Sequence, residues 1–195
     1  MNPLTSVKGT IITGFILAAI IVFAGGMSGF SILNIEVWLH VLAGITWIGL
    51  LYYFNFVQVP GVGAALADAD NGGPGPAAIN KYVAPRALLW FRWGAVVTWV
   101  TGVGALEGLG GAMGAFTFSA GMEVIGLGAW LGTIMLFNVW VLIWPNQQKI
   151  LGMKEASAEE IAKAKFVALM ASRTNTVLSI PMLLCMIGFG HGLTF

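Results

Sequence analysis

Five apolar runs, each about as long as a helix that crosses a bilayer, constrain this chain more than any other feature. They lie at approximately residues 10–30, 35–57, 86–106, 122–144 and 166–190. The hydrocarbon core of a bilayer is spanned by ~20 residues of helix. Backbone groups in lipid must pair within their own segment, so each run is predicted to be a helix. The expected fold is an all-α integral membrane protein, a bundle of about five transmembrane helices forming a single domain over residues 1–195. The first run follows Lys8 and continues through Gly-rich sequence without a small-x-small cleavage site, so it reads as a retained helix and not as a signal peptide.

Composition narrows the function classes. Hydrophobic residues make up 58% of the chain and charged residues 9%, with a mean hydropathy of +0.88, which excludes a soluble domain. A net charge of +1 gives no basic field for nucleic acid. The single cysteine, Cys185, excludes an internal disulfide, a Cys-rich zinc site and a covalent c-type haem, and it reads as helix filler.

Residues 59–82 are dense in Gly, Pro, Asn and Asp and are predicted to form a long surface loop. The polar stretch 146–165 is expected to hold a short amphipathic helix, and Ser157 three residues before Glu160 has the spacing of a capping box. With five crossings, Lys8, Lys81, Arg86, Arg92, Lys149, Lys154, Lys163, Lys165 and Arg173 all fall at or near one face. The positive-inside rule makes that face cytoplasmic, with the N-terminus inside and the C-terminus periplasmic in a bacterial inner membrane.

Glu36, Glu107, Glu123 and both histidines, His40 and His191, fall on the opposite face. Each histidine sits about five residues, or ~7 Å of helix rise, inside the outer boundary. Two antiparallel helices would thus offer opposed imidazoles to one cofactor, with haem b the leading expectation and both histidines as its iron ligands. Gly44 and Gly188 lie one turn deeper on the histidines' own faces, where they would leave space for a porphyrin. Trp47, on the His40 face, is either a cofactor-packing ring or core. Glu36 precedes His40 by four residues and reads as its orienting partner or as a proton acceptor. A non-haem metal held by carboxylates and histidines is the alternative, as is an interfacial histidine with no cofactor.

On the inner side, Arg86, Arg92, Arg173 and Asn175 read as a possible surround for an anion or an anionic lipid headgroup, against the plainer reading of snorkelling anchors. Trp38, Trp90, Trp93 and Trp144 read as interfacial belt. Pro181, beside Ser179, is expected to kink the fifth helix.

Three segments taken together resemble a known family: WLHVLAGITWIGLLYYFNFVQ (38–58), IWPNQQKIL (143–151) and ASRTNTVLSIPML (171–183). They are similar to the membrane domain of the bacterial cytochrome-c-linked urate oxidases (urate hydroxylases). The resemblance covers helices two to five and maps the family's motif histidine to His40, with Arg173 and Asn175 as motif positions of unknown role. It implies oxidation of urate with transfer of electrons to a cytochrome c domain. No C-x-x-C-H occurs in this chain, so the resemblance implies a separate cytochrome c partner.

Three functions are therefore expected in competition. One is a haem b-binding subunit that relays electrons near the periplasmic face, within a larger membrane complex. The second is a urate-oxidising enzyme working with a separate cytochrome c, and the third is a cofactor-free structural subunit.

Overall fold

The computed structural model describes residues 2–194, which form two compact units meeting at Ile35/Glu36. The first holds a short 3-10 turn, Pro3–Thr5, and helix α1, Val7–Ala24, capped by the Ser6 side chain, which accepts from the Gly9 N–H. Helix α2, Ile32–Tyr53, starts at the boundary and runs into the second unit. There α3 (Val59–Ala69), α4 (Ala84–Leu109), α5 (Ala112–Phe116), α6 (Glu123–Phe137), α7 (Trp144–Ile150) and α8 (Ala158–Gly190) follow. No strand occurs among the described residues.

Each of the five apolar runs holds a helix, but in the first the helix ends at Ala24 and residues 25–30 are not helical. Four helical stretches, Val7–Ala24, Ile32–Ala69, Glu123–Ile150 and Ala158–Gly190, are long and apolar enough to cross a membrane. The third run, α4, is 26 residues long but is not among them. Its two arginines, its glutamate, and its tryptophans and threonines lower its hydropathy.

The predicted loop after the second run is a correction. Only residues 70–76 are not helical; the rest is α3 and a helical stretch with a π turn that leads into α4. The cause lies in the prolines. Three π turns, Phe54–Gln58, Ile79–Val83 and Asn138–Ile143, are each followed after one residue by Pro60, Pro85 or Pro145. A proline ring collides with the carbonyl four residues earlier and offers no N–H to it. Those carbonyls belong to Phe56, Lys81 and Val141, and each lies inside its π turn. Widening the turn moves the carbonyl aside, and the proline then sits in the first turn of a new α-helix, where it is tolerated.

Pro181 behaves differently, since α8 continues through it as α-helix. The start of α8 is fixed by the expected capping box: Ser157 Oγ accepts from the Glu160 N–H, and the Glu160 carboxylate accepts from the Ser157 N–H. No separate amphipathic helix forms. Its residues divide between α7, which continues the fourth run, and the opening turns of α8.

Helix association in lipid depends on close packing and polar contacts. The buried stripe of α8 is accordingly almost all small or polar: Ala164, Ala168, Ala171, Asn175, Ser179, Met182, Cys185 and Gly188. Against it, Gly128 of α6 is so close that an added Cβ would lie 3.1 Å from Cys185 Cβ. Trp47, Leu51, Phe54, Phe91, Met135 and Val139 fill the centre. A smaller cluster, including Leu106, Ala115 and Ile125, closes the end near α5.

Candidate functional site

His40 is positioned by α4. Its Nδ1 lies 2.7 Å from the Thr98 carbonyl oxygen. A carbonyl only accepts, so Nδ1 carries the proton and the neutral ring keeps its lone pair on Nε2. The ring edge rests on Gly102. A Cβ there would be 2.8 Å from both Cε1 and Nδ1 but 3.9 Å from Nε2, so Nε2 is the ring nitrogen farther from Gly102. One turn earlier on α2, Glu36 is half-buried, and its Oε1 is seated against Gly104, at 2.6 Å from a Cβ placed there.

His191 caps the C-terminus of α8 and is exposed. Its Nδ1 is 2.8 Å from the Ile187 carbonyl one turn earlier. It therefore shows the same division, with Nδ1–H donating to the backbone and Nε2 free.

Two hydrogen bonds set the register of α2 against α8. Tyr52 and Ser179 hydroxyls meet at 2.9 Å. Asn55 Nδ2 donates to Ser172 Oγ at 2.8 Å. As numbering rises on one helix it falls on the other, so they are antiparallel. His40 lies twelve residues before Tyr52 and His191 twelve residues after Ser179, and both histidines are carried to the same end of the bundle.

The other expected site residues are occupied with packing. Gly44 faces the Thr98 methyl at 3.8 Å, an ordinary contact. The open side of Gly188 is filled by Leu193, whose Cδ2 would be 2.6 Å from a Cβ. Trp47 is 2% exposed within the core, and its Nε1–H has no acceptor among the described residues. The donor chemistry of the two imidazoles thus fits a bis-imidazole haem, whereas the clearance expected at Gly188 is taken up by Leu193, and at Gly44 only the Thr98 methyl comes near. Glu107 is exposed and Glu123 half-buried.

The residues expected on the inner side have separate surroundings. Asn175 is fully buried, where it accepts from Asn138 Nδ2 at 2.8 Å and donates to the Met135 carbonyl at 3.0 Å. Arg86 and Arg173 are exposed. The Arg92 guanidinium lies 3.8 Å over the Trp144 ring. Among the described residues there is no cluster of three or more His, Cys, Asp or Glu.

Sequence reasoning missed Thr98, Gly102 and Gly104, the residues on which the His40 and Glu36 heads rest. A signal was present: Gly94, Thr98 and Gly102 recur every four residues, the small-x-x-x-small spacing of a close helix contact.

Neither the curated proteins nor the solved structures contain a match to this chain. Residues 112–195 match the family model described as urate oxidase N-terminal. That stretch runs from α5 to the end of the chain and includes two of the three segments that resemble the family, while 38–58 lies outside it. The chain thus has a urate-oxidase-like relationship over α5 to α8.

Proposed function

We propose that this chain is the membrane-embedded part of a urate-oxidase-like redox system and binds a b-type haem near the periplasmic face through His40 and His191. In this reading α4 is a fifth crossing, the cations face the cytoplasm of a bacterial inner membrane, and a periplasmic cytochrome c or a further membrane subunit exchanges electrons at the outer face. The observation that carries it is the shared state of the two imidazoles at one end of the bundle. Each donates Nδ1–H to a backbone carbonyl, which orients the ring and leaves Nε2 as the ligand atom. Bound haem would supply a one-electron carrier. This chain's own residues fix the His40 ring against α4 through the Thr98 carbonyl and hold the Glu36 carboxylate one turn away against Gly104, where it serves as a proton acceptor.

A reduced-minus-oxidised spectrum of the purified protein tests the proposal. It should show a b-type band that is lost in His40→Ala and weakened or lost in His191→Ala. A colourless wild-type protein from haem-replete cells would overturn the haem assignment, and a band unchanged in both variants would overturn the ligands.

The match over residues 112–195 favours a second reading, a urate-oxidising enzyme that passes electrons to a separate cytochrome c. Urate-dependent reduction of added cytochrome c by the purified membrane protein is the discriminating assay. A protein that copurifies with a redox enzyme but carries neither haem nor metal would instead be a structural subunit.

A further inference from the structure

We infer that Gly102 is a positioning residue for His40: its missing side chain lets the imidazole lie against α4 and reach the Thr98 carbonyl, which fixes the direction of Nε2. In its functional consequence this rests on His40 being a ligand, but the seat itself is read from packing alone. The available room is specific. A Cβ on Gly102 would stand 2.8 Å from two ring atoms, a separation that real Cβ atoms essentially never show, and those atoms belong to a stiff ring held by a 2.7 Å hydrogen bond. Neighbouring glycines are not equivalent. Gly44, on His40's own face, meets only a methyl at 3.8 Å, and Gly49 on the same helix has nothing within 4 Å.

The Thr98 carbonyl is shared. Thr101 Oγ1 donates chiefly to the Val97 carbonyl at 2.6 Å and, more weakly, to Thr98 O at 3.2 Å. His40 therefore competes with a second donor for the oxygen that orients it, and Thr101 gives a way to adjust the bond without touching the packing. Gly104 extends the same edge under Glu36, so α4 seats both polar heads of the α2 face and leaves Nε2 turned away from itself.

With two histidines in the chain, ring signals of uniformly His-labelled protein in detergent are assignable by the His191→Ala variant. The dithionite-reduced state is used, in which a low-spin haem iron is diamagnetic. The wild type should show a downfield His40 Nδ1–H protected from solvent exchange. Gly102→Ala should lose that protection and, where haem is bound, shift its midpoint potential. The control Gly49→Ala should do neither. Thr101→Val should move the Nδ1–H resonance further downfield while the helix content stays unchanged, and it decides the matter where Gly102→Ala fails to fold. A folded Gly102→Ala protein with the protected proton intact, or a Thr101→Val protein with an unmoved resonance, overturns the proposal. A wild type without haem that still responds to both substitutions refutes the haem reading and leaves the seat standing.

Discussion

Removing Asn175 should destabilise the bundle through its hydrogen bonds, and by an amount that a double-mutant cycle with Asn138 separates into parts. Asn175 is fully buried and makes two bonds, accepting from Asn138 Nδ2 and donating to Met135 O. Hydrogen bonds between membrane helices average roughly 0.6 kcal/mol and reach about 1.7 kcal/mol, so the two contribute about 1–3 kcal/mol. Asn175→Ala also strands the buried Asn138 amide, at a cost of about 1–3 kcal/mol. The expected loss is therefore about 2–6 kcal/mol. Asn138→Ala breaks one bond and strands the buried Asn175 Oδ1, while Asn175 keeps its Met135 bond, so about 2–5 kcal/mol is expected on the same scale. The double variant should be little worse than Asn175→Ala, because Asn138 then has no bond left to lose. The coupling is then about as large as the Asn138→Ala loss, about 2 kcal/mol or more. Reversible SDS unfolding in mixed micelles, followed by far-ultraviolet circular dichroism, measures all four corners. Losses that add to within about 0.5 kcal/mol would refute a shared bond. Retention of any b-type band by Asn175→Ala would agree with packing as the role of this motif residue, and its loss would contradict that role.

Trp47→Phe removes a buried N–H that has no acceptor while keeping an aromatic ring in the core. It is expected to be neutral or stabilising by up to about 1 kcal/mol, since an unpaired buried donor costs about 1–3 kcal/mol and the smaller ring forfeits part of that gain. A loss above about 2 kcal/mol in the same unfolding assay would show that the indole is bonded in the native protein. Acid should loosen the start of α8, which precedes the apolar run 166–190. The Ser157 backbone N–H, with Lys149 at 3.3 Å, holds the Glu160 carboxyl below its ordinary range. Its folded value is thus lower than its unfolded one, so the stabilisation is complete above about pH 4.3 and is lost as pH falls through the folded value. Helicity followed from about pH 6 down to about pH 3 should fall at the acid end in the wild type and less in Glu160→Gln; equal curves would remove Glu160 from the account.

Most of the helices were legible because lipid-length apolar runs leave the backbone little choice. The capping box was legible because Ser157 and Glu160 form it within one turn, without help from tertiary packing. The loop expected at residues 59–82 differs for the opposite reason. Proline and glycine density normally marks a loop, and only the geometry shows that Pro60 and Pro85 each open a helix after a widened turn. The site divides along the same line. That His40 and His191 share one end follows from counting crossings, and the Tyr52–Ser179 and Asn55–Ser172 bonds agree with it. What holds His40 did not follow, because Gly102 and Thr98 are 58 and more residues away and carry no chemistry of their own.

The π turns bear on the site through their placement. Phe54 packs edge-on against Phe91, with ring centroids 5.4 Å apart, and Asn138 reaches Asn175. All three turns therefore lie toward the end of the bundle away from His40. Beside two of them asparagines donate to backbone carbonyls: Asn55 to Leu51 O, and Asn146 to Leu142 O. The helix distortions are thus confined to the half where polar side chains satisfy them. In the other half, α2 and α4 keep regular α geometry from Glu36 to Trp47 and from Gly94 to Gly104. An imidazole seated on a backbone needs that regularity. A π turn inserted between Thr98 and Gly102 would change the residue count between acceptor and seat and turn Nε2 elsewhere. A small-to-large change is therefore predicted to be tolerated poorly at Gly102 in the His40 half and well at Gly49 beyond it, while the opposite end is governed by its asparagines.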